Sequence, residues 1–448
     1  MTNHIDGFRR IFGGDGGRLD LNAQSNDLEY QLLRSRLESA SLMIAAMRRR
    51  PEWSKVPDIY LDIVDNPTIN AGAKFDQRTG CGYIGIFAGS ILCIEDLFNR
   101  IWSHPNFASE IGDCRVEAIQ SFHADGIIRE YEASDQLRTN ADLATTSPKD
   151  PLRRSMASAL SQLAFDYLVR HEIAHIIRGH DGYLRANGVD NCLEFDSSRA
   201  AAIRIPTIIL QCTELQADNF ATNEQVNAIA HAFREINVAH ELQRFIFAVG
   251  MLFLLLEEKV DYGILDNDPH PLSTCRLNIV FIETGMILKN CFPESHSEKF
   301  LPLLNAMLSQ MDDACFKIGA GHLIQTISKT IDPQKEQDWQ KKIRDQMRAL
   351  PPEVNKDAFV KLRIVGSTPP LADAWDKPDN NPRATPVRVR CQYCQTEFDS
   401  AFALPPNVSP NSIIMQGNLQ NCPSCHRMTP INFGSGRRYG PDGNIESL

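Results

Sequence analysis

His171, Glu172 and His175 stand in the order His-Glu-Ile-Ala-His. On a helix, positions i and i+4 share a face, so both imidazoles can reach one metal ion. Glu172 follows the first imidazole by one residue and can contact a water on that ion. Zinc lowers the pKa of such a water towards about 7, and a neighbouring carboxylate can take its proton. A second cluster, Thr213-Glu214-Leu215-Gln216-Ala217-Asp218, reads as helix between Ile208-Ile209-Leu210 and Phe220-Ala221. Glu214 and Asp218 then share a face. Glu214 can complete a His₂Glu set with a fourth position open, the pattern of a catalytic zinc. Asp218, one turn on, can accept the outer N–H of a ligand imidazole, His171 first among them. His180 fits less well. A metzincin has Gly three and His six residues after the second motif His, whereas Gly179 is four after and His180 five after. That leaves His180 behind a ligand or at the surface.

The segment that carries His171 reads as helix on independent grounds. Asp150 can cap it, Pro151 suits the first helical position, and Met156, Leu160, Leu163 and Tyr167 form a stripe. Further helices are expected at about 26–49, 90–102, 207–222, 226–258, 270–290, 297–328 and 335–349, from apolar spacing and stop signals. Strands are expected at Ile59–Val64 and Gly82–Phe87, punctuated by Asn66-Pro67 and Thr79-Gly80. Residues 1–24, with Gly13-Gly14-Asp15-Gly16-Gly17, read as loosely structured. The fold class is therefore α+β, helix-rich, with a small antiparallel sheet.

Near the C-terminus, Cys391-Gln392-Tyr393-Cys394 and Cys422-Pro423-Ser424-Cys425 are separated by 27 residues. Each pair makes a knuckle whose thiolates grip one face of a metal, and two knuckles close a tetrahedral Cys₄ zinc site. So small a unit lacks a core of its own, and the metal would supply much of its folding free energy. Seven prolines between Pro351 and Pro386 read as a linker. The expected organisation is a domain over 1–350, a linker over 351–386 and a Cys₄ zinc ribbon over 387–448. One catalytic and one structural Zn²⁺ follow as the expected cofactors.

The 448 residues are 43 % hydrophobic and 23 % charged, which excludes a collagen, a coiled coil or bulk disorder. The net charge of −10 argues against non-specific nucleic-acid binding over the whole surface. Arginines 383, 388, 390, 427, 437 and 438 of the ribbon are offset by Glu397, Asp399, Asp442 and Glu446. A protein partner suits the ribbon better than a nucleic acid, and both stay open. The start MTNHIDGFRRIFGGDGG has no apolar core of a secretory signal. The apolar run Phe245–Leu256, twelve residues, would reach only about 18 Å as a helix, so no membrane insertion is expected. Scattered thiols outside the CxxC pairs suit a reducing, cytoplasmic setting.

The chain resembles the gluzincins, and among them the M48-type metallopeptidases. Asn70-Ala71-Gly72-Ala73 followed by Gly82-Tyr83-Ile84 resembles that family's NAxA strand and hairpin. His171–His175 matches HExxH, Glu214–Asp218 resembles the ExxAD helix, and His270-Pro271 with Arg276 resembles the later HPxxxxR segment. The resemblance spans about residues 60–280. It implies a zincin-like metallopeptidase domain with His171, His175 and Glu214 as ligands and Glu172 as general base. It also implies that the strand from Asn70 to Phe75 pairs with an extended substrate peptide. His270 or Arg276 would stabilise the tetrahedral oxyanion, although Asp-Pro-His-Pro is equally a helix cap. The chain lacks the transmembrane helices of many M48 relatives. It has 38 residues between His175 and Glu214, where His180–Ser198 would form a lid or specificity loop. It is also similar, more loosely, to Lit-type phage-exclusion proteases, which implies a bacterial stress or defence setting.

The expected activity is a cytoplasmic zinc metalloendopeptidase acting on a protein or peptide substrate. The rival is a non-catalytic sensor whose ribbon binds nucleic acid or a protein. The presence of Glu172 favours the enzyme, because a purely structural zinc has no need of that carboxylate.

Overall fold

The computed structural model describes residues 2–22, 27–118, 127, 131, 144–187, 205–232, 235–257, 273–292, 311, 316, 341–342, 345–346, 385–390, 394–404, 415–421, 424, 428–433, 437–439 and 445–447. The expected helices at 297–328 and 335–349, the linker and His270 lie wholly or largely outside these residues.

Three strands form the sheet: β1 (Asp58–Val64), β2 (Ala71–Asp76) and β3 (Cys81–Phe87), in the order β1-β3-β2. The fold is α+β and helix-rich, but the sheet is mixed rather than antiparallel. β2 pairs antiparallel with β3 through a short turn, and β1 pairs parallel with β3. β3 is central and buried at every position, as a strand covered on both faces must be. Cys81, Tyr83 and Phe87 face one layer, and Ile84 and Ile86 face the other.

The first layer is a correction to the sequence reading. Residues expected to be loose form helix α1 (Thr2–Phe12). Its Phe8 and Phe12 are fully buried, their rings tilted by 35° with centroids 4.8 Å apart, and packed on Val64, Tyr83 and Phe87. The segment is polar on average. An aromatic pair four residues apart is enough to dock it, and the surface it needs is supplied by strands some fifty residues away.

The other face meets the main core. Helix α2 (Leu28–Arg48) and α3 (Ala88–Trp102) flank α4 (Pro151–Ile177), the long helix that carries the HExxH motif. The Asp150 carboxylate accepts from the backbone N–H of Leu152 and Arg153, and Pro151 takes the first helical position. Arg153 is fully buried and donates to the carbonyls of Trp102, His104, Phe107, Ala108 and Ile111. It thereby ties the loop after α3 to the start of α4. Gly82 of β3 lies so close to α4 that a Cβ there would stand 2.8 Å from the Ile176 side chain. Glycine lets the sheet rest on the end of α4.

After Ile177 the chain turns at Gly179, which has a left-handed backbone (φ 73), and enters α5 (His180–Ala186). Helices α6 (Thr207–Ala232), α7 (Glu235–Glu257) and α8 (Ser273–Cys291) complete a bundle with α4. Helices were expected at 207–222 and 226–258; α6 instead continues through Ala232, and α7 begins at Glu235. In α7 the stretch Val238–Leu256 is long and apolar enough to cross a membrane, longer than the run read from the sequence. Here Val238, Leu242, Phe245 and Val249 are fully buried in the bundle core.

At the C-terminus, β4 (Thr385–Arg390) and β5 (Glu397–Leu404) form one antiparallel hairpin, and β6 (Met415–Asn421) and β7 (Met428–Phe433) a second. A third pair joins β8 (Arg437–Tyr439) to β9 (Ile445–Ser447). In sequence the two CxxC pairs lie between β4 and β5 and between β6 and β7. Of their four cysteines, Cys394 is described; it is exposed, and Gln395 after it takes a left-handed backbone (φ 61). Cys391, Cys422 and Cys425 lie outside the described residues.

Candidate metal centre

Four helices bring the site together. α4 presents His171 and His175 one turn apart, α6 presents Glu214 and Asp218, and α7 and α8 stand behind them. The ligand atoms of His171, His175 and Glu214 all lie within 4.8 Å of one another, and all three residues are buried. The two Nε2 atoms are 3.0 Å apart. Glu214 places one carboxylate oxygen 3.1 Å from His171 Nε2 and the other 3.5 Å from His175 Nε2. Ligands at about 2.0–2.1 Å from a tetrahedral ion stand about 3.3 Å from each other, so these separations fit one ion.

The outer hydrogen bonds decide where the imidazole protons sit. His171 Nδ1 is 2.9 Å from Asp218 Oδ1. Burial works to raise the Asp218 pKa, but the Arg276 guanidinium and His171 hold it below the usual carboxylate range. An ionised carboxylate only accepts, so His171 Nδ1 carries the proton and Nε2 keeps its lone pair. On the other ligand, His175 Nδ1 is 3.1 Å from His180 Nδ1, and His180 Nε2 is 3.0 Å from Gln216 Oε1. Burial pushes the His180 pKa down to about 3, so this imidazole is neutral with a single N–H. That N–H goes to Gln216, and His180 Nδ1 accepts from His175 Nδ1. His175 Nε2 is thus also a lone pair. With Nδ1 of each ring engaged behind it, the two Nε2 atoms and the Glu214 carboxyl group converge on one point, and this donor set fits a divalent metal.

Asp218 is itself held on three sides. Tyr167 OH donates to Oδ1 at 3.1 Å, Arg276 Nη2 donates to Oδ1 at 2.9 Å, and Arg276 Nε donates to Oδ2 at 2.7 Å. The Arg276 guanidinium lies 4.7 Å from the centre of the Phe253 ring. Tyr167 stands one turn before His171 on the same face, and burial keeps its phenol well above its ordinary pKa, as a donor.

Several sequence expectations change here. Arg276, one of two candidates for an oxyanion role, is engaged bidentately with Asp218 and is only 4 % exposed. The other candidate, His270, lies outside the described residues. His180 backs His175. That is one of the two places the sequence left open for it, and it is reached because the helix ends at Ile177 and Gly179 turns the chain. Gln216 was not identified. It lies two residues from Glu214, off the i, i+4 face that the motif points to. Tyr167 was read as core stripe, although its position four residues before His171 was the available signal. Glu172 is buried between the two ligands in sequence, 1 % exposed.

No protein-family model, curated protein or solved structure matches this chain.

Proposed function

We propose that the chain is a zinc-dependent metalloendopeptidase of zincin-like type acting on a protein or peptide substrate. His171, His175 and Glu214 hold the ion and Glu172 is the general base. The observation that carries this reading is the convergence of two Nε2 lone pairs and the Glu214 carboxylate, with both imidazole tautomers set from behind by Asp218 and His180. The sheet adds support, because edge strand β2 lies against α4, where an extended peptide could be presented to the site.

A bound zinc supplies Lewis acidity towards a carbonyl oxygen and towards water. The Glu172 carboxylate takes the proton of the attacking water and returns it to the leaving amine. Asp218 and His180 keep the ligand imidazoles neutral and aimed throughout. The C-terminal unit is proposed as a ribbon whose Cys391, Cys394, Cys422 and Cys425 hold a structural zinc. The antiparallel pairing of the strands that flank each CxxC pair in sequence supports that reading.

The test is identification of new protein N-termini in cells that express the wild type or Glu172→Gln. The variant should keep its zinc and lose cleavage, since general acid–base assistance is worth about 10²–10⁴-fold. Equal cleavage by both forms would remove the peptidase assignment. Retained zinc with no cleavage by either would favour the sensor reading.

A further inference from the structure

β2 is one of the two edge strands of the sheet, and among the described residues no strand covers its outer row of backbone groups. Along an antiparallel strand, successive residues turn their peptide groups alternately towards and away from the partner. The carbonyl of Asn70 accepts from Phe87 N–H at 3.0 Å, on the β3 side. Ala71, Ala73 and Phe75 therefore turn their N–H and C=O groups outward.

Phe75 is already occupied there. Its N–H donates to Asp181 Oδ2 at 2.7 Å, and its C=O accepts from Arg185 Nη2 at 2.5 Å. Asp181 and Arg185 stand one turn apart on α5 and form an ion pair at 2.7 Å. Together they offer one acceptor and one donor, as a residue of a neighbouring strand would. The Ala71 N–H is taken by the Asn70 side chain at 2.9 Å. Ala73 is 6 % exposed, and among the described residues no side chain is hydrogen-bonded to its outward groups.

This plug is fastened to the candidate metal centre. The residue before Asp181 is His180, which sets the tautomer of His175. Gly82, paired with Phe75 across the sheet, lies against Ile176, the residue after His175.

Resting on the peptidase reading, we propose that Asp181 and Arg185 end the substrate groove at Phe75, so that a peptide added to β2 pairs with Ala73 and no further. A peptide that adds antiparallel, as β3 does on the inner side, runs with its N-terminal part towards Phe75. Strand pairing therefore ends at Ala73 in the direction of the peptide's N-terminus. The substrate class is a peptide held by a short backbone stretch there, with selection that does not extend to more distant N-terminal residues.

The experiment uses the full-length, zinc-loaded protein and a peptide library digested from a cell proteome, with cleavage sites read by mass spectrometry. Peptides built on the best site are then lengthened one residue at a time at the N-terminal end. The wild type should show no gain in kcat/KM once Ala73 is filled. Asp181→Ala with Arg185→Ala frees the Phe75 peptide and should gain about fivefold or more from the next residue, the worth of two backbone hydrogen bonds. Arg185→Ala alone, at a side chain one-third exposed, frees the carbonyl and should gain less; it serves if the double variant does not fold. Identical length dependence in wild type and variants, with cleavage lost in Glu172→Gln, overturns the plug and leaves the peptidase reading standing. No Glu172-dependent cleavage of any library peptide by the zinc-loaded wild type overturns both.

Discussion

The proton on each ligand imidazole is set by one residue behind it, and the two residues differ in kind. Asp218 is a charged acceptor already neutralised by Arg276, whereas His180 is a neutral relay that depends on Gln216. Replacing Gln216 by Leu leaves His180 free to reverse its tautomer, which would place a proton on His175 Nε2. Metal affinity should fall by about 10–100-fold, the usual cost of losing such a partner. Asp218→Asn should cost a similar amount through His171. Both losses are measurable by competition with a coloured chelator. Unchanged affinity in Gln216→Leu would show that His175 is oriented by packing alone. Glu214→Gln should weaken binding more directly, because a ligand charge is removed.

At the scale of elements, two backbone devices place these residues. Gly179 has a left-handed φ of 73, which costs an L-residue about 1–2 kcal/mol. Gly179→Ala should lower stability by about that amount. It should also weaken metal binding, because His180 enters its helix from that turn. Chemical denaturation and metal titration of one variant would separate the two effects. Arg153 has a different task. It donates to five carbonyls of the loop after α3, of which those of His104 and Ala108 also accept from the backbone N–H of Phe107 and Ile111. Arg153→Met should destabilise the chain by about 3 kcal/mol or more, read as a lower urea midpoint at unchanged slope. A change under about 1 kcal/mol would mean that the loop re-satisfies its carbonyls by moving to water.

For the whole molecule the expectation is two zinc ions per chain by elemental analysis. His171→Ala with His175→Ala should leave one, and Cys391→Ser with Cys394→Ser should leave the other. A wild-type content of one or fewer removes the two-site proposal. Metal removal also bears on stability. A ligand that binds the folded state at a thousand times its Kd adds about 4 kcal/mol, so a strong chelator should lower the melting temperature of the bundle. The effect should disappear in the His171→Ala, His175→Ala variant for whatever part of the transition belongs to α4, α6, α7 and α8. Thermal unfolding followed with and without chelator tests this.

What the sequence determined by itself is what local spacing encodes. His171, His175, Glu214 and Asp218 could be paired by helical periodicity. Asp150 and Pro151 announced the start of their helix, and β1 and β3 declared themselves by β-branched and aromatic runs. Each of these depends on residues within a turn or two of each other. Other features were decided by contacts between distant segments, and no local pattern carries those. Phe8 and Phe12 make a helix of a polar, glycine-flanked terminus because the sheet face over Val64 and Tyr83 is there to receive them. β1 runs parallel to β3 because β2 crosses to the far edge. Arg276 meets Asp218 across 58 residues and His180 meets Gln216 across 36, through the packing of α8 and α5 on α6. The His171–His175 and Glu214–Asp218 pairs are legible in sequence because one helical turn brings each pair together, while the packing of α4 on α6 joins the two pairs. Their supporting partners emerge only when tertiary packing has excluded water and left each buried proton a single acceptor.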